Sequence, residues 1–390
     1  MALTLLPVAL LAACAVHAAP PSVPKATKLN LSRHFLAKGA SPWDAGRLAL
    51  SPKSEGLQDY YKGTDLQWYG AIQAGTPPQN FTVVFDTGGF SSQIPNISCS
   101  SCANQNRFNP AASSTFYDYH QSRTVYFDTG AGVDPSDYES LTLSAVRDTV
   151  TIAGLSAAKT DFYLITQQSS GFDDNPFDGI FGMGYALNGT VFQNLVSQGL
   201  PAIFGMWLTP KSVGGAELTL GGIDNTKFCG PVTYIPIGPD PQGYWQLVSS
   251  QYAVNGKTTS ALKKSTSIIF DSGTSNVVFP KDLTEAIYAL ISPNIKPVGT
   301  KGAYGLPCSQ IGSLTAVLDF TFTNIAGEAF NLTIPSEELN VGPFASDPST
   351  CQTLINAQDG NYILGGSLLK HYYSIWDQAN ARMGFAAGTP

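Results

Sequence analysis

The chain has 390 residues and a net charge of −7, with 43% hydrophobic and only 13% charged residues. Gly (38) and Pro (26) are frequent and the apolar runs are short, which excludes coiled coil and disorder and points to a β-rich globular protein with many turns. The length suits two lobes of ordinary domain size once any targeting segment is removed.

Residues 2–16 are uncharged, mostly apolar, and lead into the small-residue pattern Val16-His17-Ala18. They read as a secretory signal peptide, 1–18, although no Lys or Arg precedes the apolar run. The run is too short to span a bilayer, and no later segment approaches the ~18 apolar residues of a spanning helix. Secretion, or delivery to a vacuole, is therefore expected, with no stable membrane insertion. Sequons at Asn80, Asn96, Asn188 and Asn331 suit that route as glycosylation sites.

Residues 19–56 are polar and poor in strand pattern, and they hold Lys25, Lys28, Arg33, Lys38, Arg47 and Lys53 against Asp44 and Glu55. A basic leader thus precedes an acidic body. That asymmetry argues against nucleic acid as a partner and for a propeptide held electrostatically on the body.

Strand-like segments follow at 66–74, after the leader, and then Phe81-Thr82-Val83-Val84-Phe85 runs into Asp86-Thr87-Gly88. Further short strands are expected at 125–127, 148–152, 161–165 and 217–220, with a short helix at 190–199. From about Thr226 the pattern restarts, with strands at 232–237 and 244–248. A second apolar run, Thr266 to Phe270, enters Asp271-Ser272-Gly273. A helix is expected over 281–290, and strands at 316–323, 328–333, 361–365, 373–376 and 382–385. The spacing makes this an internal repeat: Asp86 precedes Gly182 of Ile180-Phe181-Gly182 by 96 residues, and Asp271 precedes Gly365 of Ile363-Leu364-Gly365 by 94. A third Asp-Thr-Gly, at 128–130, follows no comparable apolar run and reads as a hairpin turn. The halves are set at 57–225 and 226–390.

Cys14 leaves with the signal peptide, so five cysteines remain. In an oxidising compartment two disulfides and one leftover thiol are expected, with Cys99–Cys102 closing a tight loop, Cys308–Cys351 a longer one, and Cys229 unpaired. One Cys-x-x-Cys with only His120 and His371 beyond residue 34 argues against zinc, and no metal or cofactor is expected.

Each Asp of the repeat ends a buried strand where glycine permits a sharp turn. If the two turns meet at a pseudo-two-fold axis, Asp86 and Asp271 share one site. Two aspartates in contact cannot both ionise cheaply, so one pKa rises and the pair holds a single proton over an acidic range. Such a pair is general base and general acid at once, and it hydrolyses a peptide without metal or covalent intermediate. Thr87 and Ser272 can hydrogen-bond across the axis, and Gly88 and Gly273 let backbone N–H groups approach the carboxylates.

These residues resemble the pepsin-like aspartic proteases, secreted fungal members in particular. The resemblance rests on Phe85-Asp86-Thr87-Gly88, Arg107 to Pro110 with Ser113 to Phe116, Asp148-Thr149-Val150, Phe177 to Gly182, Leu220 to Asp224, Gly243 to Gln246, Ile269 to Ser275, Ile363 to Gly365, and Trp376-Asp377. It implies an all-β bilobal fold, a cleft between the lobes for extended polypeptide substrates, and a propeptide acting as an intramolecular inhibitor until acidification. A monomer is expected, and the resemblance supports the same disulfide pairs.

Four features depart from the family pattern. Gly89 stands where a supporting hydroxyl is usual, while the second copy keeps Thr274. Gln93 replaces a tryptophan, and Cys229 is extra. The flap over the cleft is irregular, with Tyr126, Phe127 and Asp128 as its candidate substrate-binding residues; strand alternation lets only one of Tyr126 and Phe127 point inward, and Tyr126 is taken as that residue. The alternative on the same fold is a catalytically weak or inactive binding or inhibitor protein.

Overall fold

The computed structural model describes residues 50–102, 104–127, 139–185, 189–239, 243–299 and 301–388. The expected signal peptide, residues 19–49 of the expected leader, Asp128 with its Asp-Thr-Gly turn, and the sequon at Asn188 lie outside the described residues.

The first half of the chain builds an eight-stranded sheet, in spatial order Gln58–Tyr61, Asp65–Ala74, Gln79–Asp86, Gly179–Gly182, Gln93–Pro95, Leu155–Gln168, Glu139–Ile152 and Tyr117–Phe127. The second half builds a seven-stranded sheet, in the order Ala329–Ile334, Leu318–Thr323, Gln246–Val254, Thr266–Phe270, Ile363–Leu364, Val277–Phe279 and Ile355–Ala357. A six-stranded sheet takes strands from both halves. Ile203–Trp207 from the first half pairs with Tyr372–Asp377 near the C-terminus, and Arg382–Gly388 continues the sheet to Phe228–Pro236. The fold is therefore all-β and two-lobed, with the final strands stitched into the first half. Among the described residues no helix is long and apolar enough to cross a membrane.

The internal repeat has a physical counterpart in these sheets. Gln79–Asp86 pairs in parallel with Gly179–Gly182, setting Phe85 beside Phe181 and Asp86 beside Gly182. Thr266–Phe270 pairs in parallel with Ile363–Leu364, setting Phe270 beside Leu364. Phe81, Val83, Val84 and Phe85 are all buried, as expected of a strand covered on both faces. Between the halves, Phe204 and Trp376 stack at 5.6 Å and Trp245 meets both edge-on, at 5.6 and 5.3 Å. The buried indole N–H groups are satisfied, Trp245 by Met183 O and Trp68 by Thr209 O, each at 2.8 Å. The expected helices form as Val191–Ser197, capped by the Thr190 hydroxyl, and Lys281–Ile291.

Disulfides join Cys99 to Cys102 and Cys308 to Cys351. Cys229 corrects the sequence expectation. It is disulfide-bonded, and no described cysteine is a free thiol. The expectation set Cys14 aside with residues 1–18, whereas the full-length chain keeps all six cysteines.

A buried charge cluster ties the entry of the first lobe to the second. Lys370, only 7% exposed, bonds Asp65 at 3.0 Å and Glu338 at 2.8 Å, and His371 contacts the other Glu338 oxygen at 3.1 Å. Burial opposes charge on Lys370, but the two carboxylates outweigh it and raise its pKa. Beside them the Asp59 carboxyl has two buried oxygens that accept no well-formed hydrogen bond. Burial, then the Asp65 carboxylate beside it, push Asp59 up to about 8. The folded chain thus keeps a proton that the unfolded chain releases near pH 4, and stability drains as pH rises from there towards 8. Asp59→Asn carries no charge at any pH and is expected to flatten that slope. After allowance for partial exposure it should stabilise the protein by about 1–2 kcal/mol at pH 7 and leave it unchanged at pH 3. Urea unfolding at the two pH values checks this, and equal effects at both would refute it.

Candidate active site

The two Asp-containing turns meet head to head, and their hydroxyls cross the axis between them. Thr87 Oγ1 donates to Phe270 O at 3.0 Å, and Ser272 Oγ donates to Phe85 O at 2.6 Å. In return Ser272 N donates to Thr87 Oγ1 at 2.9 Å, and Thr87 N to Ser272 Oγ at 3.1 Å. Four hydrogen bonds between buried groups lock one strand end against the other, so neither turn can shift alone.

Above this lock sit the carboxylates. The Gly88 N–H donates to Asp86 Oδ1 at 2.9 Å and also to Asp271 Oδ1 at 3.1 Å, so one donor bridges the pair. Gly273 N adds a bond to Asp271 Oδ1 at 2.8 Å, and Thr274 Oγ1 one to Asp271 Oδ2 at 2.6 Å. The glycines are required by space. A Cβ on Gly88 would lie 2.7 Å from Asp271 Cγ, and one on Gly273 would lie 2.5 Å from Asp86 Oδ1. Burial, then the charge of Asp271 and the hydrogen bond with it, raise the Asp86 pKa well above the carboxylate range. The N–H groups of Gly88 and Gly89 oppose that rise only in part.

Of the flap candidates, Asp128 lies outside the described residues. Phe127 packs edge-on against Phe172 at 5.6 Å and joins the buried cluster that holds Phe177. Tyr126 stands at the cleft mouth with 71% exposure. Both residues line the cleft, Phe127 from the side packed on the core and Tyr126 from the exposed mouth. Val125 and Phe127 share the core-facing side of the strand, and Tyr126 takes the other. Gln93 is buried and accepts from Ser91 Oγ at 3.3 Å. Of the glycosylation sequons, Asn80 and Asn331 are exposed, while Asn96 is half-buried and uses its Oδ1 to cap Ser98 N.

Residues not singled out from sequence also line the cleft: Gln67, Phe172, Asn175, Tyr244 and Asn361. Gln67 Nε2 donates to Gly273 O, reaching across from the first lobe to the second turn. Phe172 comes from a 3-10 turn, Ser170–Asp174, whose sequence carries no periodic signal. Tyr244 lies inside a quoted motif, Gly243 to Gln246, and could have been found there.

Comparison with known proteins agrees with this geometry. The family described as eukaryotic aspartyl protease matches residues 67–388. Pepsin A of Canis lupus familiaris is 30% identical over 401 residues, covering 98% of each chain. Cathepsin E of Aquarana catesbeiana is 33% identical, covering 85% of this chain and 81% of its own. Embryonic pepsinogen of Gallus gallus is 32% identical, covering 83% and 80%. With two Asp turns interlocked at the base of a cleft and a family match spanning most of its length, the chain belongs to the eukaryotic aspartyl protease family and is an aspartic-type endopeptidase.

Proposed function

We propose that Asp86 and Asp271 carry the hydrolysis in this endopeptidase, sharing one proton and activating a water between them. The observation that supports this best is the Gly88 N–H, which donates to both carboxylates. Asp271 accepts from three donors, while Asp86, raised in pKa, keeps the proton. Asp271 then takes a proton from the water as it attacks, and Asp86 protonates the carbonyl oxygen. Activity falls as pH rises, because the shared proton is lost. Thr87, Ser272, Gly88, Gly273 and Thr274 hold the pair, and Phe127, Phe172 and Phe177 offer an apolar wall for an extended polypeptide.

The protein is read as secreted and made as a zymogen. Lys53–Gly56 pairs with Glu217–Leu220 as an edge strand of the six-stranded sheet, and Leu57 N donates to Ala216 O at 2.8 Å. The leader is read as ending near residue 56, and in this uncleaved chain its last residues hold that edge position. Self-cleavage on acidification is the favoured route, since no Lys-Arg pair lies at the leader's end.

Acidifying the full-length chain and assaying cleavage of a protein substrate, with and without a statine-type transition-state mimic, tests the reading. Cleavage at acid pH that the mimic blocks is expected. Absence of both cleavage and mimic binding at every pH would favour a non-catalytic module.

A further inference from the structure

We propose that Phe90 is a positioning residue for substrate selection: its ring holds Tyr244 in the cleft and so narrows the choice of side chain accepted on the second-lobe side of the cut. This deepens the endopeptidase reading above and rests on it.

The internal repeat shows that an Asp-containing turn of this fold does not itself require such a ring. The fourth residue after Asp271 is Ser275, a small buried side chain. The fourth after Asp86 is Phe90, half-buried and larger by a whole ring. That ring leaves the first lobe and meets Tyr244 of the second, with centroids 4.7 Å apart and planes tilted at 51°. Room is kept for it by Gly184, where a Cβ would lie 2.7 and 2.9 Å from two Phe90 ring atoms.

The backbone of Tyr244 is pinned through its neighbour. Trp245, 1% exposed, donates its indole N–H to Met183 O at 2.8 Å, and its own carbonyl accepts from Phe270 N at 2.9 Å. With the backbone fixed, what Phe90 bears on is the direction of the Tyr244 ring. Tyr244 lines the cleft beside Ile269 and Ile363, whereas Phe127, Phe172 and Phe177 line it from the first lobe. Successive side chains of an extended substrate point to opposite faces, so the two residues that flank the cut meet different walls. Phe90 backs one of these walls. With that ring behind it, Tyr244 has no room to retreat towards the first turn. Aliphatic side chains therefore fit against it better than aromatic ones, and the preference belongs to one substrate position.

The test reads cleavage of a peptide library by acid-activated wild type, Phe90→Ser, Tyr244→Ala and the double variant, with thermal unfolding of each. Tyr244→Ala identifies the substrate position that Tyr244 governs. Phe90→Ser opens space behind the ring. At that same position the kcat/KM ratio for Phe over Val should rise about 2–10-fold, the worth of one aromatic contact. The preference on the other side of the cut should stay within about twofold of wild type. In the double variant Phe90→Ser should add nothing further, because its partner is gone. Should Phe90→Ser not fold, Phe90→Leu, which keeps apolar bulk without the ring, takes its place. A wild-type profile in the folded Phe90 variant, or a shift that persists in full in the double variant, overturns the proposal and leaves the endopeptidase reading standing. A wild type that cleaves no peptide at acid pH and binds no statine-type mimic removes that reading, and the proposal with it.

Discussion

Asp271→Asn is expected to lower kcat by about 10³–10⁴-fold, the scale of a lost general base, while leaving the chain folded. The amide is nearly isosteric with the carboxylate, and its oxygen can still accept from Gly273 N or Thr274 Oγ1. What disappears is the negative charge that would take the proton of the attacking water. A second consequence follows from the coupling. The Asp271 charge is, after burial, the main cause of the raised Asp86 pKa, so Asp86 in the variant should ionise at lower pH. Removing one of two like buried charges also relieves repulsion, so Tm at neutral pH should hold or rise slightly. Cleavage of a peptide substrate from pH 2 to 7, with thermal unfolding on the same samples, checks all three points. A variant that keeps its fold and cleaves at the wild-type rate would remove Asp271 from the mechanism.

Lys370→Met should be among the most destabilising single changes outside the cleft, costing about 3–5 kcal/mol at pH 7. Lys370 is the buried cation between Asp65 and Glu338, whose side chains are only 11% and 10% exposed. A thioether of similar length fills the volume but leaves two carboxylates uncompensated, with Asp59 close by. The damage should shrink on acidification, because lowering the pH removes buried carboxylate charge that needs a partner. Lys370→Arg keeps a cation and should lose far less. Urea midpoints at pH 7 and pH 4 test this. A loss below about 1 kcal/mol at pH 7 would mean that the cluster is hydrated and contributes little. Because Asp65 enters the first lobe while Lys370 and Glu338 belong to the second, the same variant should also loosen the joint between the lobes.

Much of this protein was legible in its sequence. The apolar runs into Asp86 and Asp271, and their matched distances to Gly182 and Gly365, are local patterns with a local cause. A strand covered on both faces must be apolar throughout, and a chain that turns sharply at its end needs glycine. Strand positions and both longer helices follow the same logic, since hydrophobic period and capping residues act over a few residues. The flap was only partly legible for a related reason. Alternation shows that only one of Tyr126 and Phe127 faces inward, but which one depends on the register of Tyr117–Phe127 against Glu139–Ile152, and a shift of one residue exchanges the faces.

By itself, then, the sequence determined the fold class, the duplication, and the two aspartates with their Thr, Ser and Gly neighbours. Tertiary structure alone decided how those neighbours interlock, that one Gly88 N–H serves both carboxylates, that Cys229 is bonded, and that Lys370 sits between distant acids. The physical reason is range. Periodicity and turn chemistry are written within a few residues, whereas a pKa, a disulfide or a buried ion pair depends on groups that only the folded chain brings within a few ångströms. Phe90 shows both sides of this division. Its identity is plain in the sequence, but its meaning depends on the ring it meets across the lobes.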